Sequence, residues 1–160
     1  MKLTDITLIA TAVFTALMAG FFFSYAVSVS LGLGKLSDKE FLNAMQNINR
    51  EVQNLLFFTC FFGALIMLFI TCFLHYSHHS FMFLLIATMA YLLGVFLVTV
   101  FANVPLNNKL ALFDISNSTE ITAKQMRNAF EKRWNFWNNI RTASSIVSLL
   151  FVILTCISKR

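Results

Sequence analysis

Asn138, Arg141, Ser145 and Ser148 recur at three- and four-residue steps, so on a helix they share one face. Trp134 and Trp137 lie just ahead of them. The residues that follow are apolar enough to be membrane-embedded, and a guanidinium at membrane depth needs polar surroundings or an anion. Two roles are open to Arg141. It can snorkel to the headgroups, with the tryptophans forming an aromatic belt. Or it can face inward, where a cation flanked by amide donors would stabilise an anionic or enolate-like ligand.

Further polar residues fall where the same end of a bundle would gather them. Ser24 and Ser28 come late in the first apolar run, Asn49 and Asn54 precede the second, and Asn103 and Asn107 follow the third. Each Asn alone reads as a helix cap that satisfies loose backbone groups. Gln46, Asn49 and Gln53 share the polar side of an amphipathic stretch. Tyr91 falls near the middle of an apolar run, where its hydroxyl needs a partner and can line a pocket. No His or carboxylate belongs to this cluster, and Glu51 and Glu131 are the acids able to reach it from the connections.

Other chemistry has weaker support. His75, His78 and His79 form a short turn that could hold a transition metal or haem, although a wet turn accounts for them as well. Cys60, Cys72 and Cys156 read as small apolar fillers, without a CxxC motif, and a Cys72–Cys156 disulfide is the remote alternative. There is no P-loop, dinucleotide glycine motif, Ser-His-Asp set or HExxH. Asn117-Ser118-Thr119 fits a glycosylation sequon, which matters only in a secretory lumen. The expectation is no metal and no cofactor.

The elements that must position these residues follow from composition. Of 160 residues, 58% are hydrophobic and 12% charged, and the mean hydropathy is +0.74. Soluble domains carry about 25% charged residues, so this chain lacks the polar surface of a water-soluble globule. No charged residue occurs between Asp5 and Lys35, between Glu51 and Lys109, or between Arg141 and Lys159. A crossing takes roughly 20 apolar residues, which predicts spans over about 6–31, 55–74, 81–102 and 134–157. The runs are apolar on all sides, so helices are expected rather than barrel strands. The expected fold is all-α: one domain over 1–160, a four-helix transmembrane bundle running up-down-up-down, with helical cap segments on one side.

The connections carry their own signals. Ser37-Asp38-Lys39-Glu40 fits a capping box, predicting a helix from about Asp38 that leads into the second span. Pro105 disfavours helical geometry at Val104, so the third helix is expected to stop near Asn103. Asn117 to Glu120 reads as turn and cap, with a helix then running unbroken from Glu120 through the fourth span. Ala12, Ala16, Gly20, Ser24 and Ser28 make a four-residue repeat of small side chains, read as a packing face inside the bundle. Ala12, Ala16 and Gly20 could instead seat a second copy.

The net charge of +5 suits anionic lipid headgroups. The basic residues are dispersed and accompany no reading motif, so nucleic acid is not an expected partner. Lys/Arg counts put the two long connections on the cytoplasmic side. A multi-pass protein of the cell membrane is expected.

Three segments together resemble the anthrone oxygenase-like family of small membrane proteins: Met45-Gln46-Asn47-Ile48-Asn49, then Asn103-Val104-Pro105-Leu106-Asn107 with Leu110, and Trp134 to Arg141. Their order and the four-span hydropathy agree with it. Fungal members are associated with oxidising anthrones to anthraquinones without a cofactor. The resemblance implies a polar site of Gln46, Asn49, Asn103, Asn107, Asn138 and Arg141, acting on a small apolar aromatic or quinol-like substrate. In that reading Arg141, Asn138 and Asn103 carry the chemistry, while Gln46, Asn49, Asn107, Trp137 and Tyr91 hold the substrate. A non-enzymatic protein that organises a membrane complex, and a haem or metal carrier using the histidine turn, are the competing readings.

Overall fold

A computed structural model describes residues 2–158, and every regular element among them is helical. Four rods are long and apolar enough to cross a membrane: α1, Leu3–Leu33; α3, Leu55–Leu74; α4, Phe81–Ala111; and α5, Glu120–Ser158. A shorter amphipathic helix, α2, Asp38–Glu51, lies between α1 and α3. The rods form a square in which α1 packs on α3 and α5, and α4 packs on α5 and, through its first half, on α3. Lys159 and Arg160 lie outside the described residues.

Each rod turns a narrow stripe inward and the rest of its apolar surface outward. On α1 the inward stripe is Leu8, Thr11, Thr15, Met18 and Phe22, while Ile9, Val13, Leu17 and Phe23 are exposed. That division fits a lipid solvent, in which the exterior stays apolar. The threonines among the interior polar groups satisfy themselves locally. Thr11 Oγ1 donates to the Thr7 carbonyl at 2.8 Å and lies 2.8 Å from Thr71 Oγ1; Thr88 Oγ1 donates to the Leu84 carbonyl at 2.7 Å. Such bonds satisfy the threonine hydroxyls within the apolar interior, and the Thr11–Thr71 contact ties two neighbouring rods together.

Three expectations need correction. The small-residue repeat does not pack inside the bundle. Ala16, Gly20, Ser24 and Ser28 are exposed and Ala12 is half-buried, because the bulkier Thr–Met–Phe stripe occupies the inward arc. The third helix does not stop near Asn103 but continues to Ala111. Pro105 has no N–H to donate and its ring crowds the carbonyl one α-turn earlier. Wider π-helical turns over Thr99–Asn103 precede it, and Val104 keeps helical angles of φ −60° and ψ −46°. Finally, α2 ends at Glu51 and is not continuous with α3. Asn54 breaks the chain there and caps α3, its Oδ1 accepting from the Phe57 amide at 3.0 Å.

The long connections fold into a cap over one end. Glu40 Oε2 accepts from the Ser37 amide at 3.0 Å and from its hydroxyl at 2.6 Å, which fixes the start of α2. Those bonds hold the Glu40 carboxyl below its usual range. Phe41, Leu42 and Met45 then pack with Leu110, Ala123, Phe130 and Trp134 in a second core. Arg127 clamps the cap through Asp38 Oδ1 at 3.1 Å and Glu131 Oε2 at 2.7 Å, and donates to the carbonyls of Leu36 and Gly34. At 39 residues and about 1.5 Å per residue, α5 is nearly twice the length a bilayer core requires. Its first half therefore stands outside the membrane as a wall of the cap.

Candidate functional site

The candidate site sits where the bundle meets the cap. Near their shared turn α3 and α4 are in contact, and the last of that contact is a group of rings: Phe96 lies 5.6 Å from Phe61 and 6.0 Å from Phe62, between centroids. Beyond it the π-helical part of α4 packs on α5 instead. Gly94 permits this. A Cβ there would overlap the Ser144 side chain, so only glycine lets α4 approach α5 so closely. With α4 drawn toward α5, a wedge opens beside α3.

That wedge holds a cavity of about 330 Å³. Phe57, Phe58, Phe61 and Phe62 of α3 form one wall, and Thr99, Val100, Asn103, Val104, Asn107 and Asn108 of α4 the other. Phe21 and Tyr25 of α1 and Trp134, Asn138 and Arg141 of α5 close the back, while Ile48, Asn49, Val52 and Gln53 make the lid. π-Helical turns fall at two of these lining segments, Tyr25–Val29 and Thr99–Asn103. Such turns shift side chains out of α-helical register and recur at functional sites.

Arg141 is turned inward and is only 6% exposed. Among the described residues the ion pairs are Lys39–Glu120, Arg127–Asp38 and Arg127–Glu131, so the Arg141 cation has no carboxylate. Its Nη2 donates to Asn138 Oδ1 at 3.0 Å. Its Cζ lies 4.6 Å from the Phe22 ring centroid and 5.3 Å from that of Trp134, where the aromatic faces offset part of the lost hydration. Asn138 Nδ2 donates to the Phe22 carbonyl at 3.4 Å, and Thr142 Oγ1 donates to the same carbonyl at 3.1 Å. Trp134 Nε1 donates to Asn107 Oδ1 at 2.9 Å.

Several polar atoms on the cavity wall have no protein partner: Arg141 Nε, both side-chain polar atoms of Asn103, and Asn49 Nδ2. A buried polar group without a hydrogen bond costs on the order of 1–3 kcal/mol. Three such residues around one cavity, one of them cationic, make a place suited to an anionic or strongly polar group on an otherwise apolar molecule. No carboxylate or imidazole lines it. Glu131 is held by Arg127 at 2.7 Å, and Glu51 lines a neighbouring apolar cavity instead.

Five of the eight residues singled out from sequence therefore meet here: Arg141, Asn138, Asn103, Asn107 and Asn49. The other three lie elsewhere. Gln46 Nε2 donates to the carbonyls of Leu110 and Phe113 at 2.8 and 2.9 Å, stapling α2 to the end of α4. Tyr91 is fully buried below the cavity, its hydroxyl donating to the Phe61 carbonyl at 3.0 Å. Trp137 lies beside Lys132, Arg133 and Phe136 on another face of α5. The aromatic wall was not anticipated. Its signal is present in the four-residue spacings Phe57–Phe61 and Phe21–Tyr25, but among 19 phenylalanines nothing in sequence separates a cavity wall from a lipid-facing ring.

The histidine turn is remote from this site. His75 is buried with Nδ1 2.8 Å from the Thr71 carbonyl, and His79 Nε2 lies 2.8 Å from the Ser158 carbonyl. Among the described residues no three His, Cys, Asp or Glu side chains group as metal ligands. No disulfide joins Cys72, which is buried, to Cys156, which is exposed.

The profile of the anthrone oxygenase family matches residues 57–151, more than half of the chain, and the chain belongs to that family. The matched stretch carries the α3, α4 and α5 walls of the cavity and leaves out α1 and α2. No curated protein and no solved structure matches the chain.

Proposed function

From its place in the anthrone oxygenase family, we propose that the protein is a membrane oxygenase whose Arg141 stabilises the enolate of a flat, apolar phenolic substrate for direct reaction with dioxygen. The observation that carries this reading is the buried Arg141 cation, without a carboxylate, in a cavity with an aromatic wall, beside the unpartnered amide groups of Asn103 and Asn49. In such low-dielectric surroundings a fixed charge is worth far more than in water.

The chemistry then balances without a further redox partner. The anthrone CH2 loses a proton and the enolate charge settles on the oxygen facing Arg141. The enolate passes an electron to dioxygen, and the two radicals combine to form a C–O bond. The peroxide takes up a proton. Cleavage of the O–O bond with loss of the remaining C–H proton gives the quinone C=O and water. The sum is CH2 + O2 → C=O + H2O.

The base is the open requirement, since no His or carboxylate lines the cavity. Asn49, Gln53, Asn107 and Asn108 also line a smaller cavity on the cap side with Gln46, Arg50 and Ala111. In this reading Arg141 lowers the acidity barrier and water on that amide-lined side takes the proton.

The test is oxygen uptake by the purified protein in proteoliposomes supplied with dithranol, a dihydroxyanthrone. Arg141→Leu is expected to lower the rate about 10²–10³-fold, as loss of an oxyanion donor does. Uptake above the protein-free blank that is unchanged in Arg141→Leu would remove Arg141 from the mechanism.

A further inference from the structure

We propose that the site is loaded sideways from the bilayer, through the wedge between α3 and α4, and not from the aqueous side of the cap. This rests on the functional reading above, and adds the route and the physical class of the substrate: a molecule that partitions into hydrocarbon.

Three observations support it. First, the outer rim of the cavity is made by Phe58, Phe62, Val100 and Val104, all apolar and all exposed. Phe62 lies seven residues into α3, and at 1.5 Å per residue that is about 10 Å along the rod, which puts the deep edge of the rim in the hydrocarbon region. An opening lined in this way is continuous with lipid. Second, the wedge is built into the packing. The Gly94–Ser144 approach holds α4 on α5, and the rings of Phe61, Phe62 and Phe96 form the floor of the opening. Third, the cap side is stitched. Trp134 bonds Asn107 and Gln46 bonds two carbonyls at the end of α4. Between α2 and the end of α4, what adjoins the site is a cavity of about 140 Å³ walled largely by amide side chains, suited to water and protons and too small for a tricyclic ring system; the larger apolar cavity beside Glu51 lies on the other flank, between α1 and α3.

Lipid chains offer no hydrophobic gain over lipid itself, so affinity must come from the polar end. A substrate arriving from the bilayer would slide in apolar edge first or last and be retained only where its oxygen meets Arg141 and Asn103. The portal selects for partitioning and flatness, and the cation selects for an acidic oxygen.

The test uses the full-length protein with Cys60, Cys72 and Cys156 changed to Ala, in phosphatidylcholine vesicles. Val100→Cys at the rim and Ala111→Cys on the cap side, which lines the small cap cavity and not the site, are each labelled with a bulky maleimide. Dithranol binding is followed by stopped-flow quenching of Trp134 fluorescence in a Trp137→Phe background, which requires no turnover. The adduct at position 100 is expected to slow binding tenfold or more, and the adduct at 111 to slow it less than twofold. Val100→Cys is also expected to react with N-phenylmaleimide and resist a charged, membrane-impermeant thiosulfonate. If the adduct at 111 blocks binding and that at 100 does not, the cap is the route and the lateral portal is wrong. If dithranol fails to quench Trp134 even in the unlabelled protein, the functional reading falls and the portal with it.

Discussion

Trp134 Nε1 donates to Asn107 Oδ1 at 2.9 Å, and the other edge of that bond is the cavity itself. The bond joins the fourth rod to the end of the third beyond Pro105, and it holds the Trp134 ring where Arg141 can lie over its face. An unpaired buried indole N–H costs on the order of 1–3 kcal/mol. Asn107→Leu is therefore expected to lower stability by about that amount, seen as a lower melting temperature in mild detergent. It should also weaken dithranol binding. A variant that melts like the parent would show that the bond adds nothing to the stability of the folded protein.

Arg141→Leu should move stability and activity in opposite directions. The cation is buried without an ion pair, so replacing it with an apolar side chain removes a desolvation cost. The variant is expected to melt at the same temperature as the parent or higher, while losing oxygen uptake. Arg141→Lys should retain the charge but not the planar fork that meets Asn138 and the substrate together. A Leu variant that unfolds would mean that the cation serves the fold.

The Gly94–Ser144 approach predicts a paired rescue. Gly94→Ala overlaps Ser144 and should cost about 1–3 kcal/mol, the usual range for overpacking. Ser144→Gly alone should be mild, and combining the two should recover most of the loss. A double-mutant cycle on thermal midpoints measures this directly. Additive losses would show that the two residues do not meet.

The turn ahead of α5 should be acid-labile. Asp114 accepts from Ser116 Oγ at 2.6 Å, the Asn117 amide at 3.2 Å and Asn117 Nδ2 at 2.7 Å, which holds its carboxyl down at about 2. Protonation of a carboxyl depressed in the folded state costs stability. The contribution is thus complete above about pH 4 and disappears as pH falls through about 2. Pepsin cleavage in this segment should rise steeply over that window, and Asp114→Asn should cleave readily throughout it.

Loss of the Arg127 clamp should loosen the cap without touching the cavity. Arg127→Ala removes contacts to Asp38, Glu131 and two carbonyls of the Gly34–Leu36 turn. Faster amide hydrogen exchange is expected over residues 34–42, with little change over residues 55–74. Uniform protection of both segments would contradict a clamp.

The sequence by itself determined the class of structure. Charge-free runs long enough to cross a bilayer leave helices as the economical answer, because lipid offers backbone groups no partner. It also located the Ser37–Glu40 box and the start of the long helix at Glu120, since caps are local hydrogen-bonding events. Arg141 with Asn138 was readable as one face from spacing alone. Proline chemistry at residue 105 was readable too, but only as a tendency: the wider turns that accompany a continuing helix there depend on the α5 surface against which α4 lies. The direction of the small-residue stripe on α1 was equally undecided, because in a chain apolar on every side hydropathy does not mark an inside. Only the tertiary structure decided that. It turned Gln46, Tyr91 and Trp137 away from the cavity and brought Tyr25, Phe57 and Phe61 to it. The physical reason is the splay of two rods, set by one close contact at Gly94 and Ser144, whose partners are 50 residues apart and carry no mark of each other in the chain.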